Sequence, residues 1–211
     1  MPSRRALLAA VLLLPLAVLA QGGSALQDLR LTRADEQRLR LDYSAKLELP
    51  RVADEALHKG VPLYFSALAE VQRMRWYWRD ATVARSTRSW RLTYQPLTRQ
   101  YRLSTGGLHQ SVETLAEALA RMARASGWLL DLREEPAGDA RYELRFRLWL
   151  DVSQLPGPLQ IGLGPGALLD LQQLRELPGS DLLPHAARDA QPPAIRELAP
   201  APTPQPGPPR E

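Results

Sequence analysis

The eight residues RMRWYWRD, Arg73 to Asp80, hold three arginines and three aromatic side chains. A guanidinium is a planar, permanently charged fork of donors that matches carboxylates and phosphates, and it stacks on aromatic rings. Further arginines follow at alternating positions, Arg91 in SWRLTYQ and Arg102 in RQYRLS, while Trp149 takes the outward parity of RYELRFRLWLDV. Arg73, Arg75, Arg79, Arg91, Arg102 and Trp149 therefore make a candidate binding surface for a phosphate, a carboxylated glycan or the acidic patch of a protein partner. The competing reading is a solvated sheet face whose arginines pair with acids across neighbouring strands.

Other chemistry finds little support in residue type or spacing. His58, His109 and His185 fall at a helix end, in a turn and in the carboxyl-terminal segment, with no acid or hydroxyl at a motif spacing from any of them. Asp80, Glu113, Asp131 and Asp151 are conceivable acid–base groups that spacing alone does not bring together. No phosphate-binding glycine loop, HExxH or metal-ligand spacing is present, and GLGPG (Gly162 to Gly166) lacks the strand-to-helix context of a nucleotide loop. The expectation is a protein with no cofactor, no metal and no catalytic residues.

The elements that must position the surface read as mostly antiparallel strands. Leu29 and Leu31, then Leu39, Leu41, Tyr43, Ala45, Leu47 and Leu49, alternate with polar residues as two half-buried strands. PRVADEALHKG carries the proline start, acidic middle, basic end and glycine stop of a short helix. Odd-numbered Leu63 to Val71 are apolar, but in RMRWYWRD the apolar residues are even-numbered: Met74, Trp76 and Trp78. Side-chain parity along a strand is fixed, so a bulge is expected near Gln72 or Arg73, turning the tryptophans into the core and the arginines outward.

SWRLTYQ and RQYRLS form a hairpin with Trp90, Leu92, Tyr94, Tyr101 and Leu103 inward. Val112, Leu115, Ala116, Leu119, Met122 and Ala123 fall at helical spacing, with Ser111 as the start cap and Gly127 as the stop. WLLDL reads as a short buried strand. In RYELRFRLWLDV, Tyr142, Leu144, Phe146, Leu148, Leu150 and Val152 point inward. LPGPLQIGLGPG ends the sheet, and LLDLQQL reads as a last helical turn. The order implies an α+β domain, mostly antiparallel sheet or sandwich-like, with two helices.

The ends differ in composition from this body. PSRR followed by the apolar run Ala6 to Ala20 reads as a secretory signal, with cleavage after Ala20 or after Ala25; an uncleaved inner-membrane anchor is the alternative. The expected divisions are a signal peptide at 1–25, one domain at 26–177 and a disordered Pro-rich tail at 178–211. The formal charge is +4, and loss of Arg4 and Arg5 with the signal would leave +2. Only Lys46 and Lys59 are lysines, a bias that either selection for guanidinium groups or a GC-rich genome would produce. There is no cysteine, so no disulfide, thiolate nucleophile or lipid-attachment thiol exists. Export to the periplasm is the expected localisation, which argues against nucleic acid as a partner and confines membrane contact to the signal segment.

The segments Gly60 to Phe65 (GVPLYF), Arg75 to Asp80 (RWYWRD), Leu97 to Arg102 (LTRQYR) and Leu150 to Pro156 (LDVSQLP) resemble domain-of-unknown-function family 4390, an uncharacterised proteobacterial family, over about Val52 to Gln160. The resemblance implies an exported single-domain protein encoded beside a two-component sensor kinase and its response regulator. It brings no catalytic residues. An accessory, non-enzymatic role in envelope signalling follows as its implication, with the kinase ectodomain or another envelope protein as partner; the alternative is an envelope-directed enzyme of unrecognised class. After Gln160 the chain departs from the aromatic-containing ending expected of such relatives.

Overall fold

A computed structural model describes residues 23–75, 81–157 and 169–184, and among these the alternation of apolar and polar residues produces nine strands. In chain order the elements are β1 (Ala25–Arg33), β2 (Arg38–Lys46), α1 (Arg51–His58), β3 (Leu63–Arg73), β4 (Ala81–Gln95), β5 (Gln100–Thr105), β6 (Leu108–Val112), α2 (Leu115–Met122), β7 (Arg124–Asp131), β8 (Arg141–Leu150) and β9 (Asp170–Pro178). Strands β1-β2-β7 form one sheet and β6-β5-β4-β3-β8-β9 a second, with every pairing antiparallel. The domain is α+β and sandwich-like, with a sheet on each side of one core.

Strand β3 lies between β4 and β8 in the larger sheet, and its odd residues Leu63, Phe65, Ala67, Ala69 and Val71 are all fully buried. They stand beside Leu92 and Trp90 of β4 and beside Leu150, Leu148, Phe146 and Leu144 of β8. The smaller sheet lays Leu29, Leu31, Leu39, Leu41, Tyr43, Trp128 and Leu130 over this layer. Tyr43 meets Phe146 with ring centroids 4.7 Å apart, and Ala69, the register partner of Phe146, leaves room for that contact. Helices α1 and α2 close the core near β4 to β7, burying Ala53, Ala56 and Leu57 from one and Ala118, Leu119 and Met122 from the other.

The expected change of parity does not occur in β3. Its register with β8 runs unbroken from Phe65–Leu150 to Arg73–Tyr142, so Arg73 keeps the inner parity of Val71, and Met74 is exposed rather than buried. The irregularity sits on the partner strand: Val71 pairs with Ala84 and Gln72 with Thr82, leaving Val83 as the extra residue of a bulge in β4. Both Val83 and Ala84 are fully buried, so the bulge lets β4 turn two consecutive apolar side chains inward. Trp76 and Trp78, expected in the core, lie outside the described residues.

Three other expectations are corrected. Residues 108–112 form β6, because positive φ at Gly106 and Gly107 closes a tight hairpin with β5. The start of α2 is therefore Thr114, whose hydroxyl accepts from the Glu117 N–H, and not Ser111. Gly127 does not stop that helix; at φ 72° it lies inside β7, where the pairing with β2 shifts register, and its N–H donates to the Asp42 carboxylate. LLDLQQL is no helical turn: from Asp170 it extends as β9, an edge strand whose backbone is paired along β8. Its leucines match helical spacing, and the free edge of β8 overrides that local pattern.

The folded body also runs past the expected boundary at Leu177. Residues 179–182 form a 3-10 turn in which Leu182 is fully buried, and its carbonyl accepts from Arg33. Gly179 is needed there, since a Cβ at that position would lie 2.1 Å from the Ala137 carbonyl oxygen. Leu182→Ala should cost about 2 to 5 kcal/mol, the range for an emptied core leucine site. In thermal melts a chain ending at Ser180 should unfold at a lower temperature than one ending at Pro184; equal melts would mean that Leu182 adds nothing to the core.

Candidate functional site

The even-numbered residues of β3 face away from the core, and register across the larger sheet fixes their neighbours. Tyr64 stands between Arg91 of β4 and the start of the Asp151 turn; Ser66 lies between Ser89 and Trp149; Leu68 between Thr87 and Arg147; Glu70 between Arg85 and Arg145. On β9 the next positions are Asp170 beside Trp149, Gln172 beside Arg147 and Leu174 beside Arg145. Toward the other edge come Ser104 beside Arg91 and Arg102 beside Thr93. Among the described residues no element lies across this outer face.

The six residues singled out in the sequence are not one cluster. Arg91, Arg102 and Trp149 do share the outer face. Arg73 lies on the inner parity beside Tyr142, Arg75 follows the end of β3, and Arg79 lies outside the described residues. The arginines that accompany Trp149 are Arg145 and Arg147, one strand position of the same parity apart, which the reading of that strand assigned outward but did not include in the surface.

Charge divides across the face. On β8 and β9, Arg147 makes a two-pronged pair with Asp170 at 3.0 and 2.7 Å, and its guanidinium carbon stacks 4.8 Å from the Trp149 ring centroid. Arg145 pairs with Glu143 on its own strand. The hydrogen bond from Arg147 holds the Asp170 carboxyl below its ordinary range and raises Arg147 in turn. On β4 and β5, Arg85, Arg91 and Arg102 make no salt bridge among the described residues, although Arg91 lies 5.9 Å from the Tyr64 ring. The face thus offers an unpaired basic half, a pair-rich half, and Tyr64, Leu68, Trp149 and Leu174 as apolar area between and beyond them.

The dispersed titratable groups keep separate local roles. Asp151 accepts from Ser153 at the 3-10 turn after β8, and His109 contacts the Ser104 hydroxyl at 2.7 Å on the outer face. Asp131 ends β7, Glu113 is exposed after β6, and Asp80 and His185 lie outside the described residues. His58 does more than finish α1. Its Nδ1 meets the Asp54 carbonyl at 2.9 Å, its Nε2 lies 2.9 Å from the Tyr101 hydroxyl, and its ring packs against Tyr94. Burial, with Asp54 and Tyr94 adding to it, raises the Tyr101 phenol above its usual value. Beside this cluster, Leu47, Leu49, Leu115 and Leu119 line an open groove of about 780 Å³, with Arg51 and Asp54 at its rim. No group of three or more metal-ligating side chains occurs among the described residues.

Fold and surface together define an α+β domain of two antiparallel sheets, the larger of them presenting one broad face that no element covers among the described residues. The chain belongs to the domain-of-unknown-function family DUF4390, whose model it matches over residues 22–167. Comparison with curated proteins and with solved structures returns no match. Strand β9 lies beyond the residues that the family model matches.

The Arg147–Asp170 pair carries a pH signature. A carboxyl depressed by its partner adds stability that is present above the unfolded carboxyl value and fades as pH falls through the folded one. Asp170→Asn should lower stability at neutral pH by no more than about 1 kcal/mol, because both groups are partly exposed. Denaturant midpoints of the two chains should converge as the pH falls and the wild-type carboxyl becomes protonated. A gap that persists in acid would assign the loss to packing.

Proposed function

We propose that this chain is an exported periplasmic interaction module, non-enzymatic, that docks an acidic surface of an envelope protein onto the outer face of its larger sheet. The observation that carries this reading is the division of that face: Arg85, Arg91 and Arg102 on β4 and β5 make no salt bridge among the described residues, and they stand next to Tyr64, Leu68 and Trp149. Arginine and large aromatic side chains dominate binding energy at protein interfaces, and unpaired surface charge steers association. A membrane sensor kinase ectodomain is the partner we infer from the family's expected setting.

A photo-crosslinking side chain at position 149 should join the protein to one envelope partner, whereas the same group at Leu129, on the smaller sheet, should not. Arg85→Gln, Arg91→Gln and Arg102→Gln combined should weaken the crosslink while leaving the melting temperature within a few degrees, since outward positions seldom contribute more than about 0.5 kcal/mol each. Added salt should have the same effect on the unmodified chain. Equal crosslinking at both positions would remove the assignment to this face.

A second reading, an envelope-directed enzyme, is favoured only by the meeting of His58, Asp54 and Tyr101 beside the apolar groove. The imidazole there is occupied on both nitrogens by partners that join α1 to β5, an arrangement suited to holding the helix in place.

Export has its own expected outcome. The Ser24 hydroxyl accepts from the Glu48 N–H at 2.9 Å, and Ala25 pairs with Lys46 at the end of the β1–β2 ladder. Cleavage after Ala25 would delete both contacts, so the processed chain should begin at Gln21. Intact mass of the secreted product decides between the two positions, and a chain starting at Leu26 would show that the domain does without that end of its ladder.

A further inference from the structure

The inner face of the larger sheet is not wholly apolar. In β4 the inward positions run Ala84, Ser86, Arg88, Trp90 and Leu92, where Ser86 is the register partner of Ala69 and Arg88 of Ala67. Both polar residues are half-buried, and both meet Trp128 of the opposite sheet. The indole Nε1 donates to the Ser86 hydroxyl oxygen at 2.9 Å, and the Arg88 guanidinium carbon lies 4.9 Å from the ring centroid.

An oxygen that accepts from an indole still carries its own proton to donate, and an arginine has five donors and no acceptor. Among the described residues neither Ser86 nor Arg88 donates to a protein acceptor, and no carboxylate pairs with Arg88. Tyr43, the titratable group that acts on Arg88, is no counter-charge: burial pushes its phenol up to about 12, and its hydroxyl donates to the Met122 carbonyl at 2.8 Å. Neither side chain is sealed from solvent, so these donors are accessible to the acceptor of a ligand.

The position is open to solvent for a topological reason. Strand β5 pairs with β4 only along Arg91–Gln95, and the β7 side meets it at the single bridge Ala84–Leu132. Between them, from Arg85 to Arg88, this edge of β4 has no paired strand among the described residues, and Ser86 and Arg88 are the inward residues beside that gap in the ladder.

We propose that this gap is a carboxylate-binding site, in which the Arg88 fork takes both oxygens of a ligand carboxylate, the Ser86 hydroxyl donates to one of them, and the Trp128 ring forms the apolar floor. A carboxylate fits better than a phosphate. One planar fork satisfies one carboxylate, whereas a phosphate dianion would bring a second charge that one guanidinium does not match. The site lies on the opposite face of β4 from the docking surface and does not rest on it.

The test uses the nitrogen-15-labelled exported chain, titrated with sodium acetate at constant ionic strength in chloride, following the Trp128 indole N–H signal assigned through Trp128→Phe. A saturable displacement is expected, with inorganic phosphate much weaker. Arg88→Gln should raise the half-saturating acetate concentration at least about tenfold, as loss of a charge-assisted pair does. Arg88→Lys should fall between, keeping charge without the fork, and Ser86→Ala should weaken binding while Arg91→Gln leaves it unchanged. Absence of a saturable displacement, equal response to phosphate, or undiminished acetate binding in Arg88→Gln would each overturn the proposal. If Arg88→Gln does not fold, wild-type binding in both Arg88→Lys and Ser86→Ala would overturn it equally.

Discussion

The fixed two-residue period of β3 is the constraint from which the rest of the domain follows. One face of this strand is completely buried along five successive inward positions, and a pleated backbone then has no choice about the other. Tyr64, Ser66, Leu68, Glu70 and Gln72 must point away from the core, and register carries that division outward through β4 and β8 to every strand of the sheet. The core and the exposed face are two sides of one decision, made by the alternation of apolar residues in a single segment.

Much of this was legible in the sequence where alternation is strict. The strands around Leu39 to Ala45, Leu63 to Val71 and Tyr142 to Leu150 each have one consistent set of inward residues, and the structure buries those sets. The α+β class and the family both follow from these segments and their neighbours. Legibility failed where the local pattern was ambiguous and a distant partner decided the outcome. In β9 the leucine spacing resembles a helix, and only the free edge of β8 explains a strand. At Thr114 and Ser111, two residues able to cap a helix stand close together, and hairpin formation by β6 removes one of them from the competition.

The surface was legible in part, for a related reason. Parity within SWRLTYQ and RYELRFRLWLDV assigned Arg91 and Trp149 to the outside, but the inference about Arg73 depended on a bulge in β3 that the structure places in β4 at Val83. A bulge is needed wherever two consecutive apolar residues must both be buried, and the pair Val83–Ala84 satisfied that need across the ladder. The polar inner positions of β4 were visible in principle: extending the alternation of Trp90 and Leu92 backward reaches Arg88 and Ser86. An arginine on the core parity of a strand signals a break in the wall, and here the break is where β4 leaves one neighbour before meeting the next.

The first and last described elements meet in space. The Arg175 side chain of β9 reaches the Leu29 carbonyl of β1, 146 residues away, and Arg33 binds the Leu182 carbonyl across 149. Contacts of such separation form late, because the loop they close is nearly the length of the domain. A nascent chain lacking its last strand would have neither the edge partner of β8 nor the clasp on β1, so these contacts form only once synthesis has passed Leu182.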